Sequence, residues 1–290
     1  MRIWRLTKAA LMLLLLGLLI VLAVLYYQGK QAPRANSPYV ALGSSFAAGL
    51  GLGARETGSP FICQRSVNGY PKQIARMTGL LLTDMSCSGA TTRHVLRGGQ
   101  VFLGPQIDAL GPDTLLVTLT IGGNDISYVG DLTFMAFRNR GGFTGTLAGL
   151  VWGGAKPVQD REFGKLQRDL TATLREIRRR APKARVFVVP YPTIVANSGT
   201  CPKLGINKQQ ATLMRSVGLR LAETTRAAAQ AGGANFVDLA DASLGHDACA
   251  EKPWVNPSAP ANGAAFHPTL AGAKGVAAQI MTTLNEVLRK

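Results

Sequence analysis

The sequence predicts an α/β fold of three layers, in which helices cover both faces of a central, mainly parallel sheet of five strands. Short apolar runs alternate along the chain with longer segments of helical periodicity, and this alternation is typical of parallel sheets. Apolar residues make up 47% of the 290 residues and charged residues only 17%, which allows a large buried core. The composition excludes a chain that is disordered throughout.

Five strands and four helices are predicted along the chain. In the second predicted helix, apolar residues recur at spacings of three and four, and three arginines suit the negative end of the helix dipole. Pro182 then ends this helix. The predicted strands are 39–42, 80–85, 114–121, 185–189 and 235–239, and the predicted helices are 70–78, 160–180, 208–231 and 270–288.

The chain begins with an apolar segment that is long enough to cross a membrane. Residues 9–27 carry no charge and would span roughly 28 Å as a helix, close to the thickness of the hydrocarbon layer. Basic residues precede this segment, which favours a cytoplasmic position for residues 1–8. Residues 28–37 are polar and predict a linker, and residues 38–290 are expected to form one domain outside the cytoplasm.

A cleaved signal peptide is the alternative interpretation of the same segment. Signal peptides usually have a shorter apolar region, which ends in small residues at an A-x-A-like site. Here the region ends in Leu25, Tyr26 and Tyr27, so we favour an uncleaved anchor in the cell membrane. Both interpretations export the rest of the chain, and cleavage would make it a secreted protein.

The cysteines agree with export. The chain has four of them and no C-x-x-C pair, so neither a zinc site nor a thioredoxin-type motif is expected. Two disulfides in an oxidising compartment are the simple interpretation. Four cysteines permit three pairings, of which we expect the local one, Cys63–Cys87 with Cys201–Cys249.

The net charge of +16 gives the expected exported part a strongly basic surface, since only three basic residues precede residue 28. Such a surface suits anionic envelope components, for example phospholipid head groups or acidic polymers, or it is simply a solvated surface. The sequence contains no nucleic-acid-binding motif, so nucleic acid is not an expected partner. We expect a monomer.

One segment interrupts the alternation of strands and helices. Residues 131–156 are rich in glycine and apolar residues and show no clear periodicity, which predicts a long insertion. A long loop beside a site often serves as a lid or a binding loop. The alternative is an ordinary excursion over the surface.

Candidate site residues follow three predicted strands at the ends where ligands gather in parallel sheets. After the first strand, a glycine and a serine pair place the hydroxyl of Ser45 at the start of a helix, whose positive end favours developing negative charge. After the second strand, Gly89 can present its amide to an oxyanion. After the third strand, Asn124 offers a side-chain donor, although a simple Gly-Asn turn is the alternative interpretation there.

His267 is the candidate base. It lies directly before Pro268 and the last predicted helix, which holds it in a defined place. The other two histidines, His94 and His246, lack a comparable setting and are predicted to be surface residues.

These four segments, in this order, resemble the sequence blocks of the SGNH hydrolase superfamily, the GDSL-like lipases and esterases. The resemblance extends from Tyr39 to the C-terminus, and the four cysteines and the segment around Trp254 resemble the secreted actinobacterial-type subgroup. The family's Gly-Asp-Ser, glycine, Gly-x-Asn-Asp and Asp-x-x-His blocks correspond here to Gly43-Ser44-Ser45, Gly89, Gly122-Gly123-Asn124-Asp125 and Ala264-Ala265-Phe266-His267.

The resemblance implies a flavodoxin-like SGNH hydrolase fold and the hydrolysis of carboxylic esters without a metal or organic cofactor. Ser45 corresponds to the family's nucleophile and His267 to its base. The amides of Ser45 and Gly89 and the side chain of Asn124 correspond to the oxyanion hole. The apolar segment at 131–156, together with a membrane anchor, suggests lipid or acyl esters as substrates.

The sequence departs from the family pattern at two positions. Ser44 replaces an aspartate that does not usually carry the reaction, whereas Ala264 stands where the aspartate that orients the histidine is expected. The carbonyl of Ala264 or of a near neighbour can accept the Nδ1–H bond, or a carboxylate such as Asp241 or Asp247 can do so. We expect the carbonyl of Ala264.

Two other functions are compatible with these departures and with the charge. A catalytically inactive module that binds envelope components would explain the missing aspartate and the altered serine turn. An esterase that removes acetyl groups from an acidic envelope polysaccharide would suit the basic surface.

Overall fold

The computed structural model describes residues 2–289, so the first residue of the expected segment 1–8 and the last residue of the expected domain 38–290 lie outside the described range. Its central sheet has five strands in the order β2-β1-β3-β4-β5, and every neighbouring pair is parallel. The sheet confirms the predicted α/β class. The strands are β1 (Tyr39–Gly43), β2 (Leu82–Asp84), β3 (Leu116–Thr120), β4 (Arg185–Val188) and β5 (Asn235–Phe236).

Nine α-helices occur in the described residues, and four of them match the predicted helices in position. The second predicted helix begins at Phe163 rather than at residue 160, because Val158–Asp160 form a separate 3-10 turn. The helices are α1 (Arg2–Lys30), α2 (Ser45–Ala48), α3 (Tyr70–Thr78), α4 (Thr92–Arg97), α5 (Tyr128–Arg140), α6 (Gly142–Val151), α7 (Phe163–Arg180), α8 (Lys208–Gly232) and α9 (Leu270–Leu288).

Both faces of the sheet are buried, which explains why the strands are apolar without interruption. In β1, Val40 and Leu42 point to a core that contains the apolar faces of α7 and α8. Tyr39 and Ala41 point to the opposite core, which α3 and α9 cover with residues such as Ile74 and Ile280. The three predicted layers are therefore present. Helices cover the two faces of the sheet, and loops lie at the edge where the strands have their carboxyl ends.

The structure corrects the prediction of an aperiodic insertion at 131–156. This segment lies in a helical hairpin of α5 and α6, which turns at Gly141 and Gly142, with φ angles of +71° and +64°. The pattern was not recognisable because α6 buries small residues, Gly145 and Ala148, against α5, and leaves larger apolar residues exposed. A search for large apolar residues at helical spacing therefore does not reveal the buried face of α6.

The N-terminal helix α1 is longer than the predicted apolar segment and continues through residues 28–30 of the expected linker. Within the described residues, Thr7–Lys30 is the one stretch that is long and apolar enough to cross a membrane, a test that a signal sequence also passes. Its end contacts the domain, since Gln28 Oε1 accepts a hydrogen bond from the Phe61 amide at 2.9 Å. The rings of Tyr26 and Phe102 meet edge to face.

The two disulfides confirm the expected local pairing. One joins Cys63 to Cys87, and the other joins Cys201 to Cys249. The first bridge ties the loop after α2 to the loop after β2. Because Gly89 lies only two residues beyond Cys87, this bridge also restrains the position of the Gly89 amide.

Candidate active site

Ser45 lies at the turn between β1 and α2, and the backbone of this turn is fixed on both sides. Gly43 has a φ angle of +135°, and a Cβ atom there would lie 2.3 Å from the carbonyl oxygen of Thr120, so only glycine fits. The Gln106 side chain accepts a hydrogen bond from the Gly43 amide at 2.7 Å and donates one to the Gly43 carbonyl at 2.9 Å. The turn therefore holds the Ser45 hydroxyl in one place.

His267 connects Ser45 to a main-chain carbonyl. Its Nε2 lies 2.8 Å from Ser45 Oγ, and its Nδ1 lies 2.8 Å from the carbonyl oxygen of Ala265. A carbonyl oxygen can only accept, so Nδ1 carries the proton and Nε2 is left as the acceptor for the serine hydroxyl. This tautomer is the one that can take a proton from Ser45.

The prediction that Ala264 orients His267 is wrong by one residue. The Ala264 carbonyl accepts a hydrogen bond from the His267 main-chain amide at 3.2 Å, and so closes a turn. Phe266 adopts a left-handed conformation in this turn, with a φ angle of +57°, and the Ala265 carbonyl is the one within reach of the ring. The ring of Phe46 packs against the imidazole, with 5.4 Å between centroids.

Neither proposed carboxylate bonds to His267. Asp247 Oδ1 accepts from the Cys249 amide at 2.8 Å, and no hydrogen bond joins Asp241 to His267 among the described residues. Burial lowers the pKa of the His267 imidazole below its usual value of about 6.5, although the bond to Ala265 partly opposes this shift. The imidazole is therefore neutral at pH 7 and available as a base.

The structure brings the three predicted oxyanion donors to the same edge of the sheet. In residues 2–289, no acceptor is bonded to the amides of Ser45 or Gly89, and Gly89 has a φ angle of +80°. Asn124 Nδ2 donates one proton to the Ala90 carbonyl at 2.8 Å and has a second proton left to donate. Free donors at fixed positions are what an oxyanion hole requires.

Hydrogen bonds join the loops that carry these donors. The Cys87 amide donates to the Gly43 carbonyl at 3.0 Å, which links the loop after β2 to the turn that carries Ser45. The amide and hydroxyl of Thr92 both donate to the carboxylate of Asp125, the residue after Asn124. The loops after β1, β2 and β3 therefore form one connected unit.

Tyr191 is a structural residue of the site that the sequence interpretation missed. Its hydroxyl accepts from the Gly123 amide at 3.1 Å and lies 3.1 Å from Ser44 Oγ, while its ring packs edge to face on Phe46. Burial raises the pKa of this hydroxyl to about 12, so it stays neutral. The sequence could have indicated this role, because Tyr191 lies just after β4, at the same edge of the sheet as the other loops.

The other two histidines have local roles away from Ser45. Both are partly exposed, in agreement with the prediction that they are surface residues. His94 Nδ1 accepts from the Thr91 amide at the start of α4. His246 Nδ1 lies 2.7 Å from the Lys252 carbonyl, and its ring stacks on Trp254.

Comparisons with known proteins show the family to which the chain belongs. The GDSL-like Lipase/Acylhydrolase family model matches residues 41–274. The chain is 37% identical over 243 residues to "Lipase 2" of Streptomyces coelicolor, covering 78% of this chain and 79% of that protein. It is 32% identical over 247 residues to "Lipase" of Streptomyces rimosus, covering 83% and 84% respectively.

Two solved structures have the same fold. Phospholipase A1 of Streptomyces albidoflavus NA297 is 28% identical, with a TM-score of 0.67 over 86% of this chain and 98% of that one. The extracellular lipase of Streptomyces rimosus is 27% identical, with a TM-score of 0.66 and the same coverage. The chain described here therefore belongs to the GDSL-like lipase/acylhydrolase family of SGNH hydrolases and is a carboxylic ester hydrolase.

Proposed function

We propose that this protein is an extracytoplasmic serine esterase or lipase that hydrolyses lipid or acyl esters through an acyl-enzyme on Ser45. The observation that carries the proposal is the chain of contacts from Ser45 Oγ to His267 Nε2 and from Nδ1 to the Ala265 carbonyl, each 2.8 Å long. This arrangement supplies a nucleophile, a base and a group that orients the base. A dyad of serine and histidine is thus supported by a main-chain carbonyl.

In the first step, Ser45 Oγ attacks the carbonyl carbon of the ester while its proton passes to His267 Nε2. The electrons of the carbonyl double bond move to oxygen, and the amides of Ser45 and Gly89 and the side chain of Asn124 donate to that oxyanion. When the bond to the alcohol oxygen breaks, the alcohol leaves with the proton from His267. The acyl group remains on Ser45.

In the second step, water attacks the acyl carbon and gives a proton to His267 Nε2. The same three donors stabilise the second oxyanion. Its collapse breaks the bond to Ser45 Oγ, which takes the proton back from His267, and the carboxylic acid leaves. The Ala265 carbonyl keeps the imidazole in one tautomer throughout, but it lacks the full negative charge with which an aspartate stabilises the imidazolium.

The location and the substrate class rest on supporting features of the chain. The helix α1 has the length and composition of a membrane anchor or a signal sequence, and the two disulfides suit an oxidising compartment. Similar proteins carry the names lipase and phospholipase A1. Lipid or acyl esters that reach the enzyme at a membrane surface fit these features.

A fluorophosphonate probe tests the proposal directly. We expect the probe to label the full chain once, on the peptide that contains Ser45, and the purified chain to hydrolyse longer acyl esters better than acetyl esters. The Ser45→Ala variant is the control and should remain unlabelled. Hydrolysis confined to acetyl esters would favour an O-acetyl esterase, and a chain that neither reacts nor hydrolyses esters would be a binding module.

The pH dependence of kcat/KM should report the state of His267. Burial disfavours the protonated imidazole, so the pKa in the folded protein lies below about 6.5. The base is active when neutral, so kcat/KM should be level at neutral pH and fall only as the pH drops through that lowered pKa. Stopped assays with a soluble ester between pH 4 and 9 measure this profile.

Two carboxylate variants serve as controls for the role of the carbonyl. Asp241→Asn and Asp247→Asn should leave the acid limb of the profile in place, because neither side chain bonds to His267. A steep loss of kcat/KM in either variant, with thermal stability intact, would show that a carboxylate orients the histidine in solution.

A further inference from the structure

The helix α6 has an unusual distribution of residues. It buries Gly145 and Ala148 against α5, where a Cβ atom on Gly145 would lie 3.1 Å from the Arg138 carbonyl oxygen. Its large apolar side chains point to solvent, and Phe143 and Leu150 are 84% and 79% exposed. A surface helix of a globular protein normally has the opposite arrangement. The exposed apolar face consists of Phe143, Leu147, Leu150 and Val151.

A buried ion pair holds the base of the hairpin in place. Arg161 donates to Asp131 Oδ2 at 2.7 Å, and the two side chains are only 2% and 6% exposed. Trp152, directly after α6, donates from Nε1 to Asp131 Oδ1 at 2.9 Å and stacks on Phe134. Arg161 also donates to the Lys156 carbonyl. The exposed apolar face therefore sits on a fixed support.

The charged residues nearest to α6 along the chain have one sign. Arg138, Arg140 and Lys156 are exposed and flank α6, and no acidic residue occurs between Asp131 and Asp160. An apolar helix face bordered by basic residues is typical of helices that lie in the interface of an anionic membrane. A second copy of the chain is a poorer occupant, because the two basic borders would repel each other.

The α5–α6 hairpin is connected to the edge of the sheet that carries Ser45. The hairpin follows β3 at its carboxyl end, where Asn124 lies. The end of α1 contacts the Phe61 loop, which the Cys63–Cys87 bridge joins to the carboxyl end of β2. The end of the apolar N-terminal helix and the start of the α5–α6 hairpin therefore both adjoin the edge that carries the candidate active site.

We propose that α6 is a second membrane contact, which docks on the surface of a bilayer that contains anionic lipids. The apolar face enters the head-group region, and the three basic residues meet the anionic head groups. This contact, together with α1, turns the edge that carries Ser45 toward the bilayer. The inference rests on the proposed attachment of the chain to the membrane, and it adds the orientation in which the enzyme meets lipid esters.

Fluorescence quenching by brominated lipids tests the contact. The full chain is reconstituted in vesicles of phosphatidylcholine with phosphatidylglycerol, and Phe143→Trp is compared with Leu219→Trp on α8, a matched control at a position that is 57% exposed. The native tryptophans contribute equally to both proteins. Because an interfacial helix buries its apolar face roughly 5–10 Å deep, we expect the added emission at 143 to be quenched at least about twofold more.

The second part of the experiment varies the anionic lipid and the basic residues beside α6. Quenching at position 143 should fall when phosphatidylglycerol is omitted, and again when Arg138→Gln and Lys156→Gln are added, since each basic residue near an anionic surface strengthens binding by about fivefold. Equal quenching at 143 and 219 would overturn the proposal. Shielding of position 143 in a dimer, without quenching by lipid, would also overturn it and assign the face to a second copy.

The readout is independent of catalysis. The same quenching is expected in a Ser45→Ala background, so a failure of the proposed hydrolytic mechanism would leave it unchanged. Conversely, an enzyme that hydrolyses lipid esters but shows equal quenching at both positions would retain the proposed function and lose the docking role of α6.

Discussion

Replacing Ser45 by alanine is expected to abolish ester hydrolysis. The variant loses the one hydroxyl that lies 2.8 Å from His267 Nε2, so no acyl-enzyme can form. In a related catalytic arrangement, removal of the serine leaves only the catalysis that the oxyanion hole and binding provide, and kcat falls by about 10⁶-fold. Turnover of a chromogenic ester by the purified variant measures the loss, and its thermal unfolding confirms that the fold is intact.

Ser44→Ala is the matched control one residue away. Ser44 is fully buried and its hydroxyl lies 3.1 Å from that of Tyr191, so it belongs to the support of the turn. We expect most of the turnover to remain, with a loss of about 1–3 kcal/mol in the free energy of unfolding because a buried hydroxyl loses its partner. An inactive Ser44→Ala with an active Ser45→Ala would move the nucleophile by one residue.

Replacing Asn124 by alanine should lower kcat by roughly 10²–10³-fold, as the loss of one preorganised donor does in other hydrolases. The side chain has one proton bonded to the Ala90 carbonyl and another free, and only the free proton would meet the oxyanion. That charge develops after binding, so KM should change little. Steady-state kinetics with a soluble ester separates the two constants.

Asn124 also links two loops through its hydrogen bond to Ala90. Its variant therefore needs a control that removes only a hydrogen bond between loops. Thr92→Val removes the hydroxyl that donates to Asp125 and touches no oxyanion donor. We expect Thr92→Val to lower the thermal stability and to keep kcat within about tenfold of the wild type. Equal losses of kcat in both variants would mean that Asn124 acts by holding the loops, and a normal kcat in Asn124→Ala would remove it from the site.

The carbonyl partner of His267 affects the basicity of the imidazole. Where Ala264 replaces the expected aspartate, the Ala265 oxygen still fixes the tautomer through a bond of 2.8 Å. The Ala265 oxygen does not place a full negative charge beside the imidazole. Burial disfavours the protonated imidazole and lowers its pKa, and only the bond to Ala265 opposes this shift. In the proposed mechanism His267 is therefore a weaker base, and it is already neutral at pH 7.

Local sequence patterns by themselves determined the α/β class, the order of the five strands and of four helices, and the segments that follow the strands at the carboxyl edge of the sheet. These features depend on residue periodicity and on glycine or proline at the ends of elements, which a chain displays without its tertiary contacts. Ser45, Gly89, Asn124 and His267 were candidates because they lie near the ends of strands or helices, and the resemblance to the SGNH hydrolases gave them their expected roles. The local disulfide pairing was also predicted correctly.

Only the tertiary structure decided which atoms meet. The choice of the Ala265 carbonyl over that of Ala264 depends on the left-handed turn at Phe266, and no sequence rule places that conformation on a phenylalanine. Tyr191 joins Ser44 to Gly123 across strands that are far apart in the chain. The α5–α6 hairpin was missed because its helices pack through small residues, so the large apolar side chains that normally reveal a buried face lie outside it.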